Sequence, residues 1–216
     1  MAINEVFLNH KGGRYVYKTH QEKISQLCQN GFTSLKSYLE FVQKNCPNHY
    51  FNKGPRSSCL KFNLVDSVEE IKHEVSFFAK HGLEINKERF YDAHSRVQNF
   101  LLEHDKNTIA MEIPIWLMPD ELSGYRTVFN SDEVLNGHID LLRLEKNKVW
   151  IWDFKPQANK EKYASTQIFF YAYMLAKRTG IPLQDIHCGY FDQYFAFSFQ
   201  PETSFLHKLN KQRTLS

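Results

Sequence analysis

Asp140, Asp153 and Lys155 are charged side chains set into two otherwise apolar stretches, Gly137-His138-Ile139-Asp140-Leu141-Leu142 and Val149-Trp150-Ile151-Trp152-Asp153-Phe154-Lys155-Pro156. Both stretches have the composition of strands. Alternate side chains of a strand share a face, so Asp153 and Lys155 project to one side and Phe154 to the other. Their Cα atoms then lie roughly 6.6 Å apart, close enough to share a divalent ion and its water. Between the stretches, Glu145-Lys146-Asn147-Lys148 reads as a tight polar turn. Such a turn pairs the strands as a hairpin and brings Asp140 beside Asp153. Two carboxylates and a lysine at one strand edge are unfavourable to desolvate, and mutual pairing or a bound metal offsets this. The chemistry on offer is metal-assisted hydrolysis; the alternative is a half-buried strand that ends in an ion pair.

A helix is predicted next. In Tyr163-Ala164-Ser165-Thr166-Gln167-Ile168-Phe169-Phe170-Tyr171-Ala172-Tyr173-Met174-Leu175-Ala176, Gln167 and Tyr171 stand four apart and so share a helical face. The ordered set is Gly-x-x-Asp, a hairpin, Asp-x-Lys, then Gln-x-x-x-Tyr. It closely resembles the RecB-type branch of the PD-(D/E)xK nuclease superfamily, where Cas4-type and other small exonucleases belong. The resemblance spans about residues 88 to 199, and the first sixty contribute nothing to it. It implies a restriction-endonuclease-like α/β core and a metal-dependent nuclease acting on DNA ends or single strands, in repair, recombination or mobile-element and phage DNA processing. Two alternatives are an RNA endonuclease on the same core and a non-catalytic nucleic-acid-binding module that keeps the fold.

By the same resemblance, Asp140 and Asp153 hold Mg²⁺ or Mn²⁺, with His94 and the backbone carbonyl of Phe154 completing the coordination. A carboxylate-rich set with at most one His favours these ions over zinc. Lys155 would orient the attacking water or stabilise developing charge, and beside two carboxylates it stays protonated until metal enters. Gln167 and Tyr171 would position the scissile strand or support the metal shell. Glu112 interrupts a strand-like run at 109–118, about where RecB-type nucleases often carry a core glutamate. It holds a second metal or a water, or it ion-pairs with Lys155. His94 lies within an apolar helical stripe of Phe90, Ala93, Val97, Phe100 and Leu101, so a satisfied core histidine competes with a metal ligand. Glu88 and Asp92 on the same predicted helix are its substitutes. Cys28, Cys46, Cys59 and Cys188 include no close pair and do not follow the one-before, three-after pattern of iron–sulfur relatives. Free thiols and no cluster are expected. Pro156 follows Asp-Phe-Lys where Thr-Gly is often seen, a departure that removes no ligand.

The elements that would carry these residues read as helix, three strands, helix, then further strands: a mixed central sheet flanked by helices. Within it, 109–118 is a strand that Pro114 marks as an edge or bulge, and 186–191 and 194–199 form a last strand pair. Helices are predicted from Ser67 and over 86–103. The nuclease core is assigned to 62–205, a basic tail to 206–216, and a basic, mainly helical appendage to 1–61. That appendage begins with a small hairpin pattern around Gly12-Gly13, followed by two helices divided at Gly31.

The 216-residue chain is 42% hydrophobic and 24% charged, ordinary for a globular protein, with a net charge of +3. The charge is uneven: residues 1–61 hold nine Lys and Arg against three Glu, a balance of +6 that leaves −3 for the rest. A basic arm beside an acidic core suits a polyanion, DNA first and RNA as the alternative. Residues 47–59 read as a linker or mobile loop, and Lys53 and Arg56 within it, together with Tyr171, are the candidate nucleic-acid contacts. No run approaches a membrane span, no signal-peptide pattern opens the chain, and no ATP or helicase motif is visible. An intracellular, cytoplasmic protein without a membrane partner is expected, with a helicase or other protein supplying any unwinding.

Overall fold

The computed structural model describes residues 3–29 and 31–211. Its strands are β1 (Ile3–His10), β2 (Gly13–His20), β3 (Glu69–Ile71), β4 (Thr108–Leu117), β5 (Leu135–Glu145), β6 (Lys148–Phe154), β7 (Ile186–Phe191) and β8 (Ala196–Phe199). The helices are α1 (Gln21–Leu27), α2 (Thr33–Asn45), α3 (Glu74–Ile85), α4 (Ala93–His104), α5 (Tyr125–Phe129), α6 (Ala164–Thr179) and α7 (Ser204–Lys211). All eight strands form one mixed sheet in the order β1-β2-β4-β5-β6-β7-β8-β3. The fold is α/β and restriction-endonuclease-like, as the sequence implies.

The central strands are near-continuous apolar runs because helices cover both faces. On one face α6 and α2 bury Ile113, Ile139, Leu142 and Ile151. On the other, α3 and α4 bury Met111, Leu141, Trp152 and Phe154. The β5–β6 hairpin closes through Lys146 and Asn147, both at positive φ, 50° and 59°, which is the primed two-residue turn that matches strand twist. β6 and β7 are parallel, so they need a crossover, and α6 supplies it. That helix is buried nearly all round and ends at Gly180, whose φ of 73° is the left-handed cap.

Besides a register shift between Thr108 and Ala110, the strict alternation of faces fails beside the acids. Met111 faces α4 but Ile113 faces α6, and the same switch separates Leu141 from Ile139. The residues between are Glu112, at φ 54°, and Asp140. The two strands change phase together there, and the carboxylates sit at the break. Pro114 follows at once. β2 pairs with β4 only through Lys18↔Met111 and Thr19↔Ala110, so Pro114 lies where β4 has β5 as its one strand neighbour, a position that tolerates a missing N–H.

Several sequence expectations are corrected. Residues 1–61 are not a mainly helical appendage: β1 and β2 extend the central sheet, and Leu8, Tyr17, Leu35 and Leu39 belong to its core. Propensity located the hairpin, but the partner strand lies some ninety residues away and leaves no local signal. Ser67 does not start a helix. Glu69–Ile71 pairs with β8, and α3 begins at Glu74, where the His73 ring accepts from the Val75 amide. The helix predicted over 86–103 starts only at Ala93, because the Asp92 side chain caps it through the Ser95 amide at 2.8 Å. Residues 47–59 are not a free linker. The Asn136 amide donates to the carbonyls of Tyr50 and Lys53, each at 3.0 Å, and the Asn136 main chain pairs with Arg56. Of the predicted tail, Ser204–Lys211 is helical and Arg213 lies outside the described residues.

Beneath the β5–β6 hairpin, Arg143 is completely buried. Its Nε donates to Asp105 Oδ2 at 2.7 Å and its Nη1 to Glu145 Oε2 at 3.2 Å, while Nη2 meets Glu74. Asp105, also buried, accepts in addition from the Asn107 amide and the Thr108 hydroxyl, so every charge in the knot is answered.

Candidate active site

Past the last paired residues of the β5–β6 hairpin, Leu141 and Trp152, come Asp140 and Asp153. The Phe154 amide donates to Asp140 Oδ2 at 3.0 Å, which ties the two strand ends together. Asp153 lies on the α6 face and is completely buried. Gln167 Nε2 donates to its Oδ1 at 3.1 Å and to the Tyr171 hydroxyl at 2.9 Å, so the i, i+4 pair does share one face aimed at the strand. The Lys155 ammonium stands 2.5 Å from Asp153 Oδ2. Oδ2 is a buried carboxylate oxygen whose one close partner among the described residues is that ammonium.

Gly137 explains the first residue of Gly-x-x-Asp. A Cβ there would sit 2.5 Å from the Tyr171 ring, so the aromatic reaches the acids only across a bare backbone. Phe154 faces the other layer, where the His94 ring packs edge-on at 5.2 Å. Burial depresses the His94 pKa, partly countered by the Asp153 charge, so the imidazole is neutral at neutral pH.

Three carboxylates in one low-dielectric corner cannot all ionise cheaply. Burial first, then the Asp153 and Glu112 charges, push the Asp140 pKa well above the carboxylate range. Burial likewise raises Glu112 to about 7, although Gln98 Nε2 donates to it at 2.7 Å. Burial opposes the Lys155 ammonium, but Asp153 and Asp140 outweigh it and raise its pKa, so it stays charged. The Tyr171 phenol, raised by burial and by the same acids, stays neutral.

A family model of the PD-(D/E)XK nuclease superfamily matches residues 48–209, three quarters of the chain. The chain belongs to this superfamily. No curated protein and no solved structure matches it. As a PD-(D/E)XK protein it carries the fold of metal-dependent nucleases, whose substrate is nucleic acid.

The residues present fit a hard divalent cation. Their donors are carboxylate oxygens, one of them buried and met by the Lys155 ammonium alone, in a corner where burial and mutual repulsion raise the pKa values of Glu112 and Asp140. Among the described residues, no three His, Cys, Asp or Glu side chains already converge as a metal cage. Filling such a site therefore means shedding protons and loosening the Lys155 contact.

Glu112 makes this testable without metal. Its pKa is higher folded than unfolded, so the folded state is favoured while both forms are protonated. That advantage is lost as pH rises from the ordinary value of 4.5 through about 7. In EDTA, wild type should lose on the order of 2 kcal/mol relative to Glu112→Gln between pH 5 and 8. Urea titrations at each pH measure the difference, and parallel profiles would place the Glu112 carboxyl in water.

Other predicted residues are placed differently. Glu88 is exposed, and the Asp92 carboxylate is engaged as the α4 cap. Arg56 turns inward, donating to the Lys11 carbonyl at 3.0 Å and the Tyr15 hydroxyl at 2.5 Å, which holds Tyr15 stacked on His138. Lys53 is exposed on the loop that Asn136 anchors. Gln98 was missed, although it stands four residues from His94 on α4 and the same spacing rule finds it. Asn136 and the His10–His138 contact at 2.9 Å join segments distant in sequence, and no spacing announces them.

Proposed function

We propose that this chain is a Mg²⁺- or Mn²⁺-dependent nuclease of the RecB type that hydrolyses phosphodiester bonds at DNA ends or in single strands. The reading rests on one observation: Asp153 is contacted by both Lys155 and Gln167, at the strand end that Asp140 ties down. Asp140, Asp153, the Phe154 carbonyl and the neutral His94 would hold the ion. When bound, such an ion supplies a nucleophilic water at neutral pH and neutralises charge on the reacting phosphate. Lys155, relieved of its carboxylate, orients that water and faces the developing negative charge. Gln167 holds Asp153 in place while Tyr171, accepting from Gln167, keeps its own hydroxyl proton to donate to a phosphate oxygen. Glu112 accepts a proton or holds a water beside the two aspartates, its raised pKa suiting it to exchange protons near neutrality. Work on DNA repair, recombination or mobile-element DNA is the setting this chemistry suits.

End-labelled single- and double-stranded DNA and RNA, incubated with Mg²⁺, Mn²⁺ or EDTA, test the proposal. Stepwise shortening of DNA from an end, dependent on either ion and stopped by EDTA, is the expected result. Cleavage of RNA alone would move the substrate to ribonucleic acid, and metal-independent or absent cleavage would overturn the reading.

A further inference from the structure

The β1–β2 hairpin does more than extend the sheet. Alternation sends Leu8 and Tyr17 into the core and turns Phe7, Arg14 and Lys18 to the opposite side. There they form one wall of a groove of about 380 Å³ whose other wall is the start of α4 and whose floor includes Glu112. His94 also lines it, so the groove leads to the carboxylate corner. Lys18 Nζ donates to Asn99 Oδ1 at 3.0 Å, a bond that joins the two walls. Phe7 is 51% exposed, and the Arg14 guanidinium lies over its ring at 4.1 Å. With one ring face under the guanidinium, about half of Phe7 still lies open to meet a base, and Arg14 is placed to meet the adjacent phosphate.

We infer that this hairpin wall is a single-strand binding element, with Phe7 stacking a base and Arg14 taking the adjacent phosphate of a polynucleotide that leads to Glu112 and His94. The inference rests on the hydrolytic reading for its purpose but not for its test. The Lys18–Asn99 bond joins the walls, so a single strand, narrower than a duplex, is the occupant that the groove favours. Lys18, engaged with Asn99 and with Glu5 at 3.3 Å, holds the wall rather than the substrate.

Fluorescence anisotropy in EDTA, with labelled oligodeoxyuridine and oligouridine of about 15 nucleotides and a DNA duplex of the same length, decides it. Phe7→Ala should weaken single-strand binding about tenfold, and Phe7→Tyr should restore it. Arg14→Ala should lower the log–log salt slope by about 0.7. The duplex should bind more weakly than either single strand, and the tighter of the two oligomers names the sugar. Both side chains are exposed, so circular dichroism melts should match wild type. Unchanged affinity and slope in the variants, a duplex bound as tightly as a single strand, or a wild type that binds neither oligomer overturns the inference. Failure here, with wild-type cleavage intact, leaves the hydrolytic reading standing. A wild type that cleaves nothing but binds single strands through Phe7 would do the reverse.

Discussion

Asp153→Asn is expected to reduce phosphodiester hydrolysis by at least about 10³-fold while the protein stays folded. A metal-held water and charge neutralisation together contribute several kcal/mol to a hydrolytic transition state, and about 4 kcal/mol is already a thousandfold. The amide keeps the shape that Gln167 and Lys155 touch but removes the negative charge on which an ion would depend. It also removes one of the charges that add to burial in raising the Asp140 pKa, but it leaves the Lys155 ammonium without its nearest carboxylate. These changes oppose each other, so the melting temperature should change little. Single-turnover cleavage beside thermal melting separates chemistry from stability. Turnover within tenfold of wild type would take Asp153 out of the chemistry.

The largest loss of stability is expected far from that corner. Arg143→Leu should lower unfolding free energy by roughly 3–5 kcal/mol, because it strands the buried Asp105 carboxylate without its guanidinium. Glu74 and Glu145 keep contact with water and matter less. Adding Asp105→Asn to Arg143→Leu should recover part of the loss, since the amide oxygen still accepts from the Asn107 amide and buries no charge. Guanidinium unfolding of both variants measures this. A double variant no more stable than the single would assign the loss to packing instead.

The contrast between these two sites shows what the sequence could disclose. Asp153, Lys155, Gln167 and Tyr171 were readable because strand and helix periodicity fix which side chains share a face, and all four lie within one strand–helix unit. The β5–β6 hairpin and α6 followed from the same local rules. Arg143 was not readable. A lone arginine in a strand usually faces water, and its partners come from α3, the residue after α4 and β5 itself, which only the fold assembles. The phase change at Glu112 and Asp140 was equally silent, since a non-glycine residue at positive φ inside a strand has no compositional mark. Arg56 shows the same limit from the other side. Its basic, aromatic surroundings suggest a nucleic-acid contact, while its bonds to Lys11 and Tyr15 reach a hairpin more than forty residues earlier, a contact that no local rule announces.

The claim that the acidic corner holds a divalent cation is tested most directly by calorimetric titration of Mn²⁺ into wild type in two buffers of different ionisation enthalpy, at pH 6 and pH 8. Because Glu112 and Asp140 hold protons that a cation must displace, binding should release protons to the buffer and tighten from pH 6 to pH 8. Asp140→Asn should abolish the heat at either pH. Mn²⁺ binding of equal strength at both pH values with no proton release, or binding that survives Asp140→Asn unchanged, would contradict the assignment.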